Sequence, residues 1–259
     1  MSVTFVLLII LLFLMAVVGE NRGLKSFAML IVNFFTFFAM LKLISSGIDP
    51  VKATVIGCIV ISFITLFLIN GFNKKTVSSF IAVCLVVLLT LLLVYKIGSD
   101  ARLQGFSNEN PGRAAYLSYY VHIDFSKLVV CEILIGLIGA VIDVSISISS
   151  SMQEIFSNNS YINKHDLLKS GINIGRDILG TMTNTLLFAY IGGFMTLLLW
   201  FDITNYPLSK LINSKLFCPE VFQILCSGIG IILIIPVTAI ITSVILLIKF
   251  PAGKLSDSH

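Results

Sequence analysis

The chain has 259 residues, of which 57% are hydrophobic and 12% charged, about half the charge content of roughly 25% usual in soluble domains. Its apolar residues stand in long blocks and its mean hydropathy is +1.03, which excludes a water-soluble globular domain. The formal charge of +4 is scattered between those blocks, with no basic cluster interleaved with aromatics. Such charges suit loops beside an anionic membrane surface, and no nucleic-acid partner is expected.

Residues 3–18 (VTFVLLIILLFLMAVV) form the first apolar run. No basic region precedes it, and Arg22 and Lys25 follow it, which predicts an uncleaved span rather than a secretory signal, with its N-terminus outside. Further spans are predicted over about 26–43, 51–69 and 77–97, each near the ~20 residues that cross ~30 Å of hydrocarbon. Turn signals at Ser45-Ser46-Gly47, Asp49-Pro50 and Asn70-Gly71 separate the second, third and fourth.

From Gly98 to Lys127 the chain turns polar. Pro111 precedes RAAYLSYYVHI, whose Tyr116, Tyr119 and Tyr120 suit the headgroup layer, so 101–125 reads as an interfacial or re-entrant segment, with an ordered loop as the alternative. Spans five and six are predicted over about 128–150 and 177–200, the latter closed by Trp200, with a polar connection from Ser151 to Ile174. Residues 206–225, with Pro207 and Pro219, alternate polar and apolar positions and again suggest a surface or re-entrant segment. Span seven, about 226–248, contains Pro236, where a kink is expected. Basic residues in the early loops, together with Lys249 and Lys254, predict an outside N-terminus and an inside C-terminus. No internal repeat of the kind that marks inverted-repeat transporters stands out.

Cys58, Cys84, Cys131, Cys218 and Cys226 show no CxxC or Cys/His spacing, so they read as packing residues, and no metal site is expected. His122, His165 and His259 all fall in polar connections.

The chemistry concentrates in spans five and six. From Gly136, helical spacing puts Gly139/Ala140, Asp143, Ser147, Ser150 and Glu154 on one face, with Leu137, Ile138, Val141, Ile148 and Ile155 opposite, suited to lipid or apolar neighbours. Asp177, Gly180/Thr181 and Asn184 share a face of span six, with Arg176 and Thr185 at its margin. Antiparallel packing predicts Glu154 beside Arg176 and Asp177, and Asp143 about 16 Å deeper, near Asn184. Three readings fit this face. The small and polar residues can simply glue helices together. Alternatively, Asp143, Ser147, Ser150, Thr181, Asn184 and Thr185 supply oxygens for a substrate, a monovalent cation or a proton, with Glu154, Arg176 and Asp177 as gating ion pairs. An intramembrane enzyme is the third, but a serine nucleophile needs a base and neither span carries His or Lys, so no enzymatic activity is expected. The alternation in DVSISIS (143–149) also admits a locally unwound stretch.

The segments GLIGAVIDVSISISSSMQEI (136–155) and GRDILGTMTNTLLFAYIGG (175–193), with LINSKLFCPEVFQILCSGIGIILIIPVTAII (211–241), resemble the YibE/F family of bacterial multi-pass membrane proteins. The resemblance runs from about residue 25 onward. Longer, YibE-type members carry an extracytoplasmic domain before their membrane region. The sequence here resembles the shorter YibF type, which implies a YibE-like membrane protein as a partner.

The expectation is therefore an all-α polytopic integral membrane helix bundle in one transmembrane domain over residues 1–259, in the bacterial cytoplasmic membrane. About seven spans cross the bilayer. Its expected role is that of a permease or the membrane subunit of a transport system, the alternative being a non-transporting assembly or scaffold partner. Beyond a monovalent cation or proton, no cofactor is expected. The expected partners are the bilayer, a YibE-like protein and further copies of the chain.

Overall fold

The computed structural model describes residues 3–100, 125–159, 161–214 and 217–248. Seven helices are assigned in them: α1 (Val3–Ser45), α2 (Pro50–Asn70), α3 (Lys74–Asp100), α4 (Phe125–Asn158), α5 (Lys164–Ile203), α6 (Leu208–Ile212) and α7 (Phe217–Leu247). All but α6 are long and apolar enough to cross a membrane, and no strand occurs among the described residues. The segment predicted at 101–125 lies, but for its last residue, outside them.

Helix α1 is 43 residues long, about twice what a bilayer crossing needs. It breaks at Glu20, whose φ of 46° and ψ of −132° are non-helical. Gly23 then packs against the backbone of Met15. Residues eight apart in a continuous helix lie about 12 Å apart, so the chain folds back on itself at the break. Only the absence of a Cβ at Gly23 permits that approach.

Cross-helix contacts fix the directions of the rest. Asn33 Nδ2 donates to Thr65 Oγ1 at 3.0 Å and Gly57 packs on Met40, so the second half of α1 runs antiparallel to α2. Lys127 meets Asp49, and Cys58 lies against the Leu134 carbonyl, which makes α2 parallel to α4. Contacts of Thr238 with Ser145 and of Gln223 with the Glu132 carbonyl make α4 parallel to α7. Helix α3 opposes α4 and α7, with Ser79 on Ser149, Thr242 on Ser78, and Lys74 Nζ donating to the Leu246 and Ile248 carbonyls. Helix α5 opposes them as well, with Gly175 on Ile235 and Gly171 on Met152 and Ala239. Asp49, Lys96, Lys127 and the start of α7 thus share one end of the bundle. Lys74, Asn158, Lys164 and Leu247 share the other.

Helix ends depart from expectation in two places. The polar connection predicted over Ser151–Ile174 is mostly helical: α4 continues to Asn158 and α5 begins at Lys164. The segment 206–225 divides into α6 and the first turns of α7. DVSISIS is helical throughout, because Val, Ile and Ser, indifferent helix formers alone, are held there by packing on three neighbours. Helix α7 continues through Pro236.

Candidate functional site

Helix α4 is the central element, in contact with α2, α3, α5 and α7. Its apolar face points inward: Leu137, Val141, Val144 and Ile148 are fully buried, and Ile138 nearly so. The polar face points outward. Gly139, Asp143, Ser147 and Glu154 are exposed and Ser150 is half-buried. Of the two surroundings that suit the apolar side, lipid or apolar neighbours, it meets the second, and the polar side does not turn toward span six as expected. The stripe opens on the flank of α4 that none of its four neighbours covers. An enclosed pocket between two helices is therefore not what these residues form.

Arg176, Asp177, Thr181, Asn184 and Thr185 are also exposed, on α5. The Thr181 hydroxyl donates to the Ile178 carbonyl at 2.9 Å, and that of Thr185 to the Thr181 carbonyl at 2.8 Å. No hydrogen bond joins Asp143 to Asn184. Depth follows from the packing. Gly175 rests on Ile235, and Thr238 bonds Ser145 at 3.1 Å. Arg176 and Asp177 therefore lie at the level of Asp143, to within about one turn or ~5 Å. Asp143 is itself midway between Lys127 and Asn158, roughly 23 Å from either along the helix. A charged side chain at the centre of a bilayer costs about 2.5–3.5 kcal/mol on insertion scales, so three of them at one level form a costly belt.

The expected gate does not assemble. The ion pairs among the described residues are Lys127–Asp49 at 2.6 Å and His165–Asp166 at 3.6 Å. Glu154, Arg176 and Asp177 are not paired with one another. The short turn at 159–163 is the cause: it sets Glu154 level with the first turns of α5, about 12 Å from the depth of Arg176. At the opposite end Asp49 caps α2, accepting from the Val51 and Lys52 amides at 3.1 and 3.4 Å. The Lys127 ammonium, with those amides, holds the Asp49 carboxyl below the usual carboxylate range against an opposing effect of burial.

Two further polar clusters lie away from this face. In the core, Ser79 Oγ and Ser149 Oγ are 2.6 Å apart, Ser79 Oγ donates to the Ser145 carbonyl at 3.2 Å, and Thr242 Oγ1 donates to Ser78 Oγ at 3.1 Å. With Thr238 on Ser145 these form a hydroxyl ladder across α3, α4 and α7 in which Ser78, Ser79, Ser145, Ser149, Thr238 and Thr242 are fully buried. The signal was present as Ser145/Ser149 and Thr238/Thr242, each four residues apart and so on one face. Nearer the Lys127 end, Tyr190 and Ser227 share a hydrogen bond at 3.1 Å, and Gln223 Nε2 donates to the Glu132 carbonyl at 3.4 Å. Both side chains close over Gly136, where a Cβ would overlap the Tyr190 hydroxyl.

Among the described residues no cluster of His, Cys, Asp and Glu has the makings of a metal site. Cys58, Cys131 and Cys226 are buried free thiols, as packing residues should be.

Long apolar helices, their alternating directions and a hydroxyl-bonded core together define a multi-span α-helical membrane protein. The family model described as YibE/F-like protein matches residues 7–247, and the chain belongs to that family. Comparison with curated proteins and with solved structures finds no match.

Proposed function

We propose that the protein is a membrane permease, or the membrane subunit of one, and that Asp143 is its ion-coupling or substrate-contacting group. The observation that carries this reading is a carboxylate midway along the central helix, on a face of small and hydroxyl residues, within about one turn of the level of Arg176 and Asp177. Intramembrane carboxylates are costly and tend to be kept for ion or proton pathways. Because the face opens laterally, the site lies on the flank of the bundle, with Ser147 and Thr181 nearest Asp143 and with Ser150, Asn184 and Thr185 as further oxygen donors along it. Glu154 belongs to the rim. The end carrying Arg22, Lys25, Lys74, Lys75, Lys164 and Lys169 is the cytoplasmic one by the distribution of charge, in a bacterial cytoplasmic membrane.

A second reading has one observation in its favour. An open polar face on the outside of the bundle also suits contact with another membrane protein, so a scaffold role beside a YibE-like partner is the alternative. Thermal unfolding of purified protein across Na⁺, K⁺ and pH series, wild type against Asp143→Asn, tests the first reading. Stabilisation by one ion that the variant loses supports it, and superimposable responses refute it. Thiol labelling of Ser147→Cys and Asn184→Cys, with and without a YibE-like protein in the same vesicles, separates the two roles: a pattern that this protein leaves unchanged fits a permease, and protection that only it confers fits a scaffold.

A further inference from the structure

We infer that a second copy of this chain covers the open face of α4, with Asp143 of each copy paired to Arg176 of the other. The inference builds on the reading of that face as the working surface and supplies the partner that completes it.

Charge complementarity is the first argument. Among the described residues the charged groups at mid-depth are Asp143, Arg176 and Asp177, all exposed, and no hydrogen bond or ion pair joins any of them to another side chain. In hydrocarbon such groups turn toward a bundle interior or pair with one another. The interior here is closed to them, filled by Leu137, Val141, Val144 and Ile148. Only the outer surface remains.

Matched depth selects a like copy over any other protein. A two-fold axis along the membrane normal leaves every residue at its own depth, and in a two-fold interface residue i meets j while j meets i. Carboxylate and guanidinium lie within about one turn of the same depth in one protomer, so the rotation brings Asp143 of each copy within side-chain reach of Arg176 of the other. An unrelated partner is under no such constraint.

The surfaces around the pair also agree. With α4 of one copy antiparallel to α5 of the next, the register that sets Asp143 against Arg176 also sets Gly139 against Gly180. A Cβ at Gly139 or Gly180 would meet nothing in the protomer, so both glycines leave open space at the surface. Small residues allow two helix backbones to approach closely, and Ser147, Thr181 and Asn184 can then bond across the contact. Asp177, one residue from Arg176, lies at the edge of the pair.

The test uses the full chain in lipid vesicles. Single-molecule photobleaching of singly labelled protein should show two-step traces at dilutions that leave one dimer per vesicle. Asp143→Arg and Arg176→Asp should each lower the dimer fraction at least about tenfold, as loss of one partner of a desolvated charge pair does. The double exchange should restore it. One-step wild-type traces, indifference to both single reversals, or dimers that form only with a different membrane protein would overturn the proposal. Position is checked with Asp143→Cys and Arg176→Cys on separately tagged copies lacking the native cysteines. Mixed copies should cross-link to a heterodimer, whereas cross-linking confined to a doubly substituted chain would show pairing within one protomer and refute the interface. Neither readout depends on flux, so loss of the dimer with an intact Asp143-dependent ion response would remove this inference and leave the proposed function standing.

Discussion

The Ser79 and Ser149 hydroxyls meet at 2.6 Å between α3 and α4, in a core where neither residue has any exposed surface. Apolar side chains gain nothing by choosing a protein interior over lipid, so close backbone packing and hydrogen bonds such as this one must bind the helices together. Ser149→Ala should therefore cost about 0.6 kcal/mol, the mean for interhelical bonds in a bilayer, because Ser79 keeps its bond to the Ser145 carbonyl. Ser145→Val, which adds bulk where α3 and α7 both approach, should cost about 1–3 kcal/mol. Reversible unfolding in mixed micelles measures both. Equal effects would mean that the ladder is not what packs these helices.

Thr76 gives the opposite expectation. It is fully buried and its hydroxyl has no hydrogen-bond partner. Thr76→Val removes a stranded polar group with little change of shape, so stability should hold or rise by up to about 1 kcal/mol. A loss as large as that of Ser145→Val would point to a partner for this hydroxyl.

Gly175 packs directly on Ile235, and a Cβ there would overlap the branched side chain. Gly175→Ala should destabilise the α5–α7 contact by about 1–3 kcal/mol, and Ile235→Ala in the same chain should recover most of it. Thermal denaturation of the two single variants and the double variant gives the coupling directly.

Asp49 supplies a pH dependence. Its carboxyl titrates lower in the folded chain than the ordinary value of 3.8, chiefly through Lys127. A depressed folded-state value means that the stabilisation is complete above the unfolded value and is lost as pH falls through the folded one. Unfolding followed from neutral pH downward should show stability falling below about pH 4, with Asp49→Ala flatter in that window and less stable at neutral pH through the lost cap.

Much of the fold was legible because the bilayer imposes long apolar blocks, and Asp49-Pro50 and Asn70-Gly71 mark helix ends by turn chemistry. The orientation of α4 was not. In a soluble protein its apolar side would face inward by necessity, but Leu137 and Ile148 are at home in either lipid or core, so the sequence pattern carries no sign. The same ambiguity hid Ser145 and Ser149: in VSISIS, neighbouring serines fall on different sides of the helix, and only packing reveals which pair is inside. The depth of Arg176 is hidden in the sequence for a local reason. Polar residues from Ser151 to Ile174 look like a loop, yet they form helix ends and a short turn, which carries Arg176 and Asp177 from the rim to the centre.

Ion flux tests the proposed role of Asp143 as the working carboxylate of a transport path. Proteoliposomes loaded with pH- and sodium-sensitive dyes, under an imposed membrane potential, measure proton and Na⁺ movement for wild type and Asp143→Asn at equal incorporation. A coupling role for Asp143 requires protein-dependent flux of one of these ions that the variant lowers at least about tenfold while its helix content stays unchanged. Equal flux through both proteins, or wild-type vesicles no leakier than empty ones, would contradict it.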